Sequence, residues 1–133
     1  MKNLFYTNSL VLVFFLLFTT TSHPNYLSFL PGDEDYAAFA EEMPSPVGGM
    51  ASIQKNITYP SIAKQAGIEG KVYILAYIND KGSVDQVKVL KGIGAGCDEA
   101  AMEAVKKNKF TPGKNKGMPL KVKLSLTINF KLS

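Results

Sequence analysis

Residues 119–132 read Pro-Leu-Lys-Val-Lys-Leu-Ser-Leu-Thr-Ile-Asn-Phe-Lys-Leu, and their alternation decides the fold. Leu120, Val122, Leu124, Leu126, Ile128, Phe130 and Leu132 fall on one side of an extended chain. Lys121, Lys123, Ser125, Thr127, Asn129 and Lys131 fall on the other, which is the period of two that a β-strand imposes. One face therefore belongs on a core and the other in water. Pro119 has no N–H for a ladder, so it fits the beginning of a strand or an edge. The expectation is one long edge strand from Leu120 to Leu132, paired along one side and open along the other.

Working back from it, Lys71 to Asn79 carries Val72, Tyr73, Ile74, Leu75, Ala76, Tyr77 and Ile78, apolar on both faces as a central strand is. Asp80-Lys81-Gly82 closes a hairpin, with Asp at the turn's start and Gly where a left-handed conformation is needed. Val84 to Leu90 is the return strand, and a slip in its apolar phase predicts a bulge at Asp85 and Gln86. Gly92, Gly94 and Gly96 punctuate a loop before a helix from Asp98 to Asn108. Asp98 and Glu99 complement the positive end of that helix and Lys106, Lys107 and Lys109 its negative end, while Ala100, Ala101, Ala104 and Val105 form the buried stripe. Phe110 to Gly113 ends the helix, and Lys114-Asn115-Lys116-Gly117 reads as a loop. Upstream, Met50, Ile53 and Ile57 mark a short amphipathic stretch. In Tyr59 to Gly67, Pro60 suits the first helical position and Gly67 the residue past the end. The reading is an α+β domain: a three-stranded sheet with residues 71–79 between 84–90 and 120–132, antiparallel to both, and two helices on one face.

The chain has 133 residues, enough for one modest core. Nine apolar residues, Leu10 to Phe18, follow Lys2 and precede Thr19-Thr20-Thr21-Ser22. This predicts that 1–22 is a signal peptide or a marginal N-terminal anchor, the run being short of the ~20 residues a spanning helix needs. Either implies export. Residues 23–48, rich in Pro and acid, read as a disordered tether, and 49–133 as the folded domain. Cys97 is the only cysteine; it forms no internal disulfide, and its position excludes a lipid anchor after the apolar run. Fourteen Lys against six Asp or Glu over residues 49–133, with no Arg, read as a lysine-solvated surface rather than a nucleic-acid patch.

Little in the chain points to catalysis. His23 is the only histidine and lies outside the folded part, which removes Ser/His/Asp, Cys/His and zinc arrangements there. Asp98, Glu99 and Glu103 form an acidic group that the helix dipole explains. Gly92-Ile93-Gly94-Ala95-Gly96-Cys97 resembles a dinucleotide loop but ends in Cys and follows a hairpin. Cys97 reads as a small apolar plug. No catalytic residue, metal or cofactor is assigned. Tyr73 and Tyr77 share a side of the middle strand as base-stacking aromatics do, but Leu75 between them and the exported address argue against nucleic acid. That stripe is either sheet surface under lysine stems or a docking place for a second chain.

Tyr59-Pro60, Ala66-Gly67-Ile68-Glu69-Gly70-Lys71-Val72, Ile78-Asn79-Asp80-Lys81-Gly82-Ser83-Val84, Asp98-Glu99-Ala100-Ala101, Phe110-Thr111-Pro112, Pro119-Leu120 and Ile128-Asn129-Phe130 occur in an order and spacing that resemble the C-terminal domain of TonB. The resemblance extends over residues 41–132, since Glu41-Glu42-Met43-Pro44 to Gly48-Gly49-Met50 is similar to a lead-in of TonB-like proteins. It implies a periplasmic module that grips TonB-dependent outer-membrane transporters and delivers inner-membrane energy from ExbB and ExbD. The transporter's N-terminal box adds a strand to the domain's last strand. Carried over, the grip is Lys121 to Phe130, with Lys121, Lys123, Ser125, Thr127 and Asn129 along it and Asn56, Tyr59 and Pro60 beside it. An open edge read from alternation alone suits such β-augmentation. Departures from the family are the marginal apolar run and a spacer of about 26 residues, which spans about 85 Å at full extension. The alternative is therefore a secreted TonB-like adaptor without a motor, and an exchanged-strand homodimer on the same edge is a variant of either.

Overall fold

The computed structural model describes residues 32–133. The expected leader and the first part of the tether lie outside the described residues. In chain order the elements are β1 (Ser45–Pro46), α1 (Gly49–Lys55), α2 (Ser61–Gln65), β2 (Gly70–Ile78), β3 (Val84–Lys91), α3 (Cys97–Lys107), β4 (Phe110–Thr111), β5 (Gly113–Asn115), β6 (Met118–Leu120) and β7 (Val122–Phe130).

Two-sided apolarity puts β2 in the centre of the main sheet, hydrogen-bonded to β3 on one side and β7 on the other. Both pairings are antiparallel, with Ile74 opposite Val89 and Leu126. Val72, Ile74, Ala76 and Ile78 from β2 and Leu126, Ile128 and Phe130 from β7 bury one face under Ile53, Ala63, Cys97, Ala101, Ala104 and Val105 of the helices. The small side chains of α3 let its axis lie close to the sheet, and full burial of each Ile contributes about 1.5–3 kcal/mol.

Three helical pieces cover that face rather than two. Pro60 stands one residue outside α2 with φ −63° and ψ 138°, and its carbonyl accepts the first helical bond from Lys64 at 3.0 Å, so it caps α2 and separates it from α1. Gly67, at φ +65°, ends α2 as its position suggested. The N–H of Ile68 reaches the carbonyl of Ala63 and that of Gly67 reaches Lys64, the paired bonds of a Schellman stop.

The bulge lies at Asp85, because Tyr77 pairs with Gln86 while Ile78 pairs with Val84. A second register shift, at Leu90, has no counterpart in the apolar pattern. The turn between β2 and β3 is held by Asn79 rather than Asp80: its Oδ1 accepts the N–H groups of Lys81 and Ser83 at 2.9 and 3.0 Å.

The long alternating stretch is not one strand. Leu120 pairs with Gly113 in the β5–β6 ladder, Lys121 is the break, and only Val122–Phe130 joins the main sheet. The expected loop 114–117 is a tight hairpin whose Lys116 and Gly117 have φ +51° and +75°, the geometry that matches the twist of two antiparallel strands. Alternation is blind to this break, because both ladders keep the same side-chain phase.

The reading of a disordered tether as far as Gly48 does not describe residues 37–48. Glu42 exchanges backbone hydrogen bonds with Lys114 at 3.0 and 2.9 Å, and β1 pairs with β4 through Ser45–Thr111 and Pro46–Phe110. Pro44 is buried and would meet any Cβ placed on Gly113 at 3.3 Å. A segment can lack periodicity and still be ordered when its backbone groups find partners on other elements.

Candidate functional site: the outer edge of the sheet

β7 pairs with β2 along one side only. Its other side is identified by two backbone hydrogen bonds with residue 37: Ala37 N–H donates to the carbonyl of Lys121 and Lys123 N–H donates to the carbonyl of Ala37, each at 2.9 Å. N–H directions alternate along a strand, so Ser125, Thr127 and Asn129 direct their N–H groups the same way as Lys123. At the far end, Gln54 Nε2 donates to the carbonyl of Asn129 at 2.9 Å, which agrees in phase. The side chains of Ser125, Thr127 and Asn129 are exposed. Among the described residues, Ser125 to Asn129 present three N–H donors on this edge with no hydrogen-bonded strand beside them.

Electrostatics differ along the edge. At its start Lys123 Nζ lies 2.9 Å from Asp33. This hydrogen bond, then one from Tyr77, holds the Asp33 carboxyl below its ordinary value. Lys121 Nζ lies 5.5 Å from the centre of the Tyr36 ring. Tyr36 stands edge-on to Tyr77 with centroids 5.2 Å apart, and its hydroxyl donates to Asp85. Burial first, and then that carboxylate, push the Tyr36 phenol up to about 12. Tyr77, on the helix-free face, is thereby buried, whereas Tyr73 on the same face is 40% exposed. The stripe Tyr73-Leu75-Tyr77 is thus partly covered from within the chain.

The expected site residues are distributed unevenly about this edge. Lys123, Ser125, Thr127 and Asn129 lie on β7, and Lys121 is the residue before it. Tyr59 packs edge-on against Phe130 at 5.3 Å and donates its hydroxyl to the carbonyl of Ile68, so it sits at the end of β7. Burial, followed by the neighbouring Cys97 and Glu69, raises its phenol above the ordinary value. Pro60 faces the other way, 3.3 Å from where a Cβ on Gly96 would stand. Asn56 is the exposed C-cap of α1. Sequence reasoning missed Gln54, which alone among α1 residues reaches the β7 edge, and missed Asp33, Tyr36 and Ala37. A Tyr inside an acidic stretch, upstream of a lysine-bearing strand, is the one signal that pointed to the latter group.

Cys97 is fully buried. Burial first, then Asp98 and Glu99, raise its thiol above the ordinary value, so it is a poor nucleophile where it stands. Among the described residues no group of three or more His, Cys, Asp or Glu is arranged to hold a metal.

The profile of the family described as Gram-negative bacterial TonB protein C-terminal matches residues 55–132. The chain belongs to this TonB C-terminal family. It is 33% identical over 84 residues to Protein TonB of Vibrio cholerae, covering 62% of this chain and 34% of that one. It is 34% identical over 76 residues to Protein tonB2 of Pseudomonas aeruginosa, covering 56% and 28%. The match thus spans about a third of those relatives' length. The solution structure of the Pseudomonas aeruginosa TonB CTD superposes with a TM-score of 0.53 at 24% identity, over 72% of this chain and 93% of that one, which shows the TonB CTD fold. Among the described residues no helix is long and apolar enough to cross a membrane.

Proposed function

We propose that this domain docks the N-terminal box of a TonB-dependent outer-membrane transporter as an added strand along β7, in the periplasm, and so supports energy transduction for substrate import. The observation that carries this reading is the row of outward N–H groups at Ser125, Thr127 and Asn129 on an exposed edge, together with membership of the TonB C-terminal family. Main-chain hydrogen bonds to such an edge supply affinity, and side chains beside it supply selectivity. Lys121 and Lys123 flank the entry, while Tyr59, Asn56 and Pro60 belong to the segment beside the far end, where Gln54 shapes the edge. ExbB and ExbD are the motor partners if the N-terminus is anchored.

A second reading, an exported adaptor without a motor, draws on residues 37–48 being held to the domain. Only about 14 residues then lie between Ser22 and Ala37, a reach of roughly 50 Å at full extension. The mass of the mature protein, which tells a cleaved leader from a retained one, separates the two.

The test of docking is calorimetry with a panel of box peptides from the transporters of the same organism. Thr127→Ala keeps the backbone donor and is expected to change affinity little. Thr127→Pro removes the donor from an edge where it makes no ladder bond, so the fold is retained by circular dichroism while binding weakens at least ten-fold. Undiminished binding by folded Thr127→Pro overturns strand addition.

A further inference from the structure

Residues 33–37 cross the helix-free face and end on the edge just described. Asp33 pairs with Lys123 at 2.9 Å. Tyr36 is clasped by Tyr77, Asp85 and Lys121. Ala37 takes the N–H of Lys123 and fills the carbonyl of Lys121. Downstream, Glu41 receives the N–H of Lys116 at 2.7 Å, and Glu42 is bonded on both sides to Lys114, so the segment is fixed beyond its contact with β7. The Ala37 bridge to Val122 is parallel and a single residue long, far weaker than the β2 ladder on the other side.

Resting on the strand-addition reading, we infer that residues 33–37 form a strap that occupies the first part of the docking edge and competes with an incoming strand for Lys121 and Lys123. With the strap seated, an added strand has the donors from Ser125 to Asn129. A strand long enough to reach Lys123 must displace Ala37 and the Tyr36 side chain. The apparent affinity for such a strand is the intrinsic affinity multiplied by the fraction of molecules whose strap is open. Lysines at the start of β7 are thus held by the chain's own acid and aromatic groups until a partner replaces them.

Two measurements on the full chain test this. Amide hydrogen exchange without any ligand compares the N–H of Lys123, bonded to Ala37, with that of Thr127, which faces the same way without a strap. Lys123 is expected to be protected at least roughly ten-fold more than Thr127, as a closed hydrogen bond requires, and to lose the excess in Tyr36→Ala and in Ala37→Pro. Equal exchange of the two amides in the unaltered chain overturns the strap. Calorimetry with a box peptide of at least seven residues then compares the unaltered chain with both variants, each checked for an unchanged melting transition. Release of the strap is expected to tighten binding roughly three- to thirty-fold, the size expected for one or two competing hydrogen bonds. Equal, measurable affinities for all three overturn the strap and leave strand addition standing. No binding by any of them, with the strap demonstrably released, overturns strand addition and the strap's competitive role together.

Discussion

The backbone N–H of Phe110 donates to the carbonyl of Gly82 at 2.9 Å, which ties the β2–β3 turn to the chain leaving α3. Gly82 has φ +80°, and a Cβ there would stand 1.9 Å from the carbonyl oxygen of Phe110. Because the obstacle is backbone, it has no side-chain end to swing away. Gly82→Ala should therefore lower stability by about 2–4 kcal/mol, from strain at positive φ and loss of the turn's seat on Phe110. Urea denaturation checks this, and an unchanged midpoint would contradict it.

Ile74 has no exposed surface and lies between Val89 and Leu126. Ile74→Asp places a carboxylate where described residues offer only apolar neighbours in the core, at a cost of several kcal/mol, comparable with the roughly 5–15 kcal/mol that holds a small domain folded. The variant should lack a cooperative thermal transition by circular dichroism. A melting temperature equal to that of the unaltered chain would mean that the core lies on the other face of β2.

Cys97 should resist thiol reagents until the domain unfolds. Its folded value is raised, so the stabilisation linked to the neutral thiol is fully present below the ordinary value and is lost as pH rises through the folded one. Labelling with a chromogenic disulfide at pH 8 is expected to proceed at the rate of global unfolding and to accelerate in urea. Rapid stoichiometric labelling of the native protein would refute its burial.

Asp33 should titrate below the ordinary carboxylate value. Its folded value is depressed, chiefly by the hydrogen bond from Lys123, so the contact is present above the ordinary carboxylate value and is lost as pH falls through the folded one. Carbon-detected NMR of the Asp33 carboxyl is expected to give a midpoint below the ordinary carboxylate value that moves up toward it in Lys123→Ala. An Asp33 midpoint indifferent to that substitution would show that the two side chains do not pair.

Local pattern was enough for much of this domain. Two-sided apolarity marked residues 71–79 as the strand with neighbours on both sides, its helix-free face carrying Tyr73, Leu75 and Tyr77. The slip between Val84 and Val87 located the bulge at Asp85, because an extra residue must break a period of two. Gly67 and Gly82 marked a helix stop and a turn, as both positions need positive φ. The run from Val122 to Phe130 announced a strand with one buried face. What these signals share is range: each is a constraint between residues a few positions apart, and so it is written in the local order of side chains.

Tertiary structure alone decided the break at Lys121 and the ordering of residues 37–48. Leu120 and Val122 keep one phase while pairing with different strands, so alternation cannot tell one ladder from two. Asp33, Tyr36 and Ala37 lie in a stretch without period, and their partners Lys123, Tyr77, Asp85 and Lys121 stand some 40 to 90 positions away. Backbone hydrogen bonds to a distant edge and one aromatic side chain hold that stretch. Neither depends on repetition along the chain, so no periodic pattern in its own sequence distinguishes a strap seated on β7 from a tether hanging free.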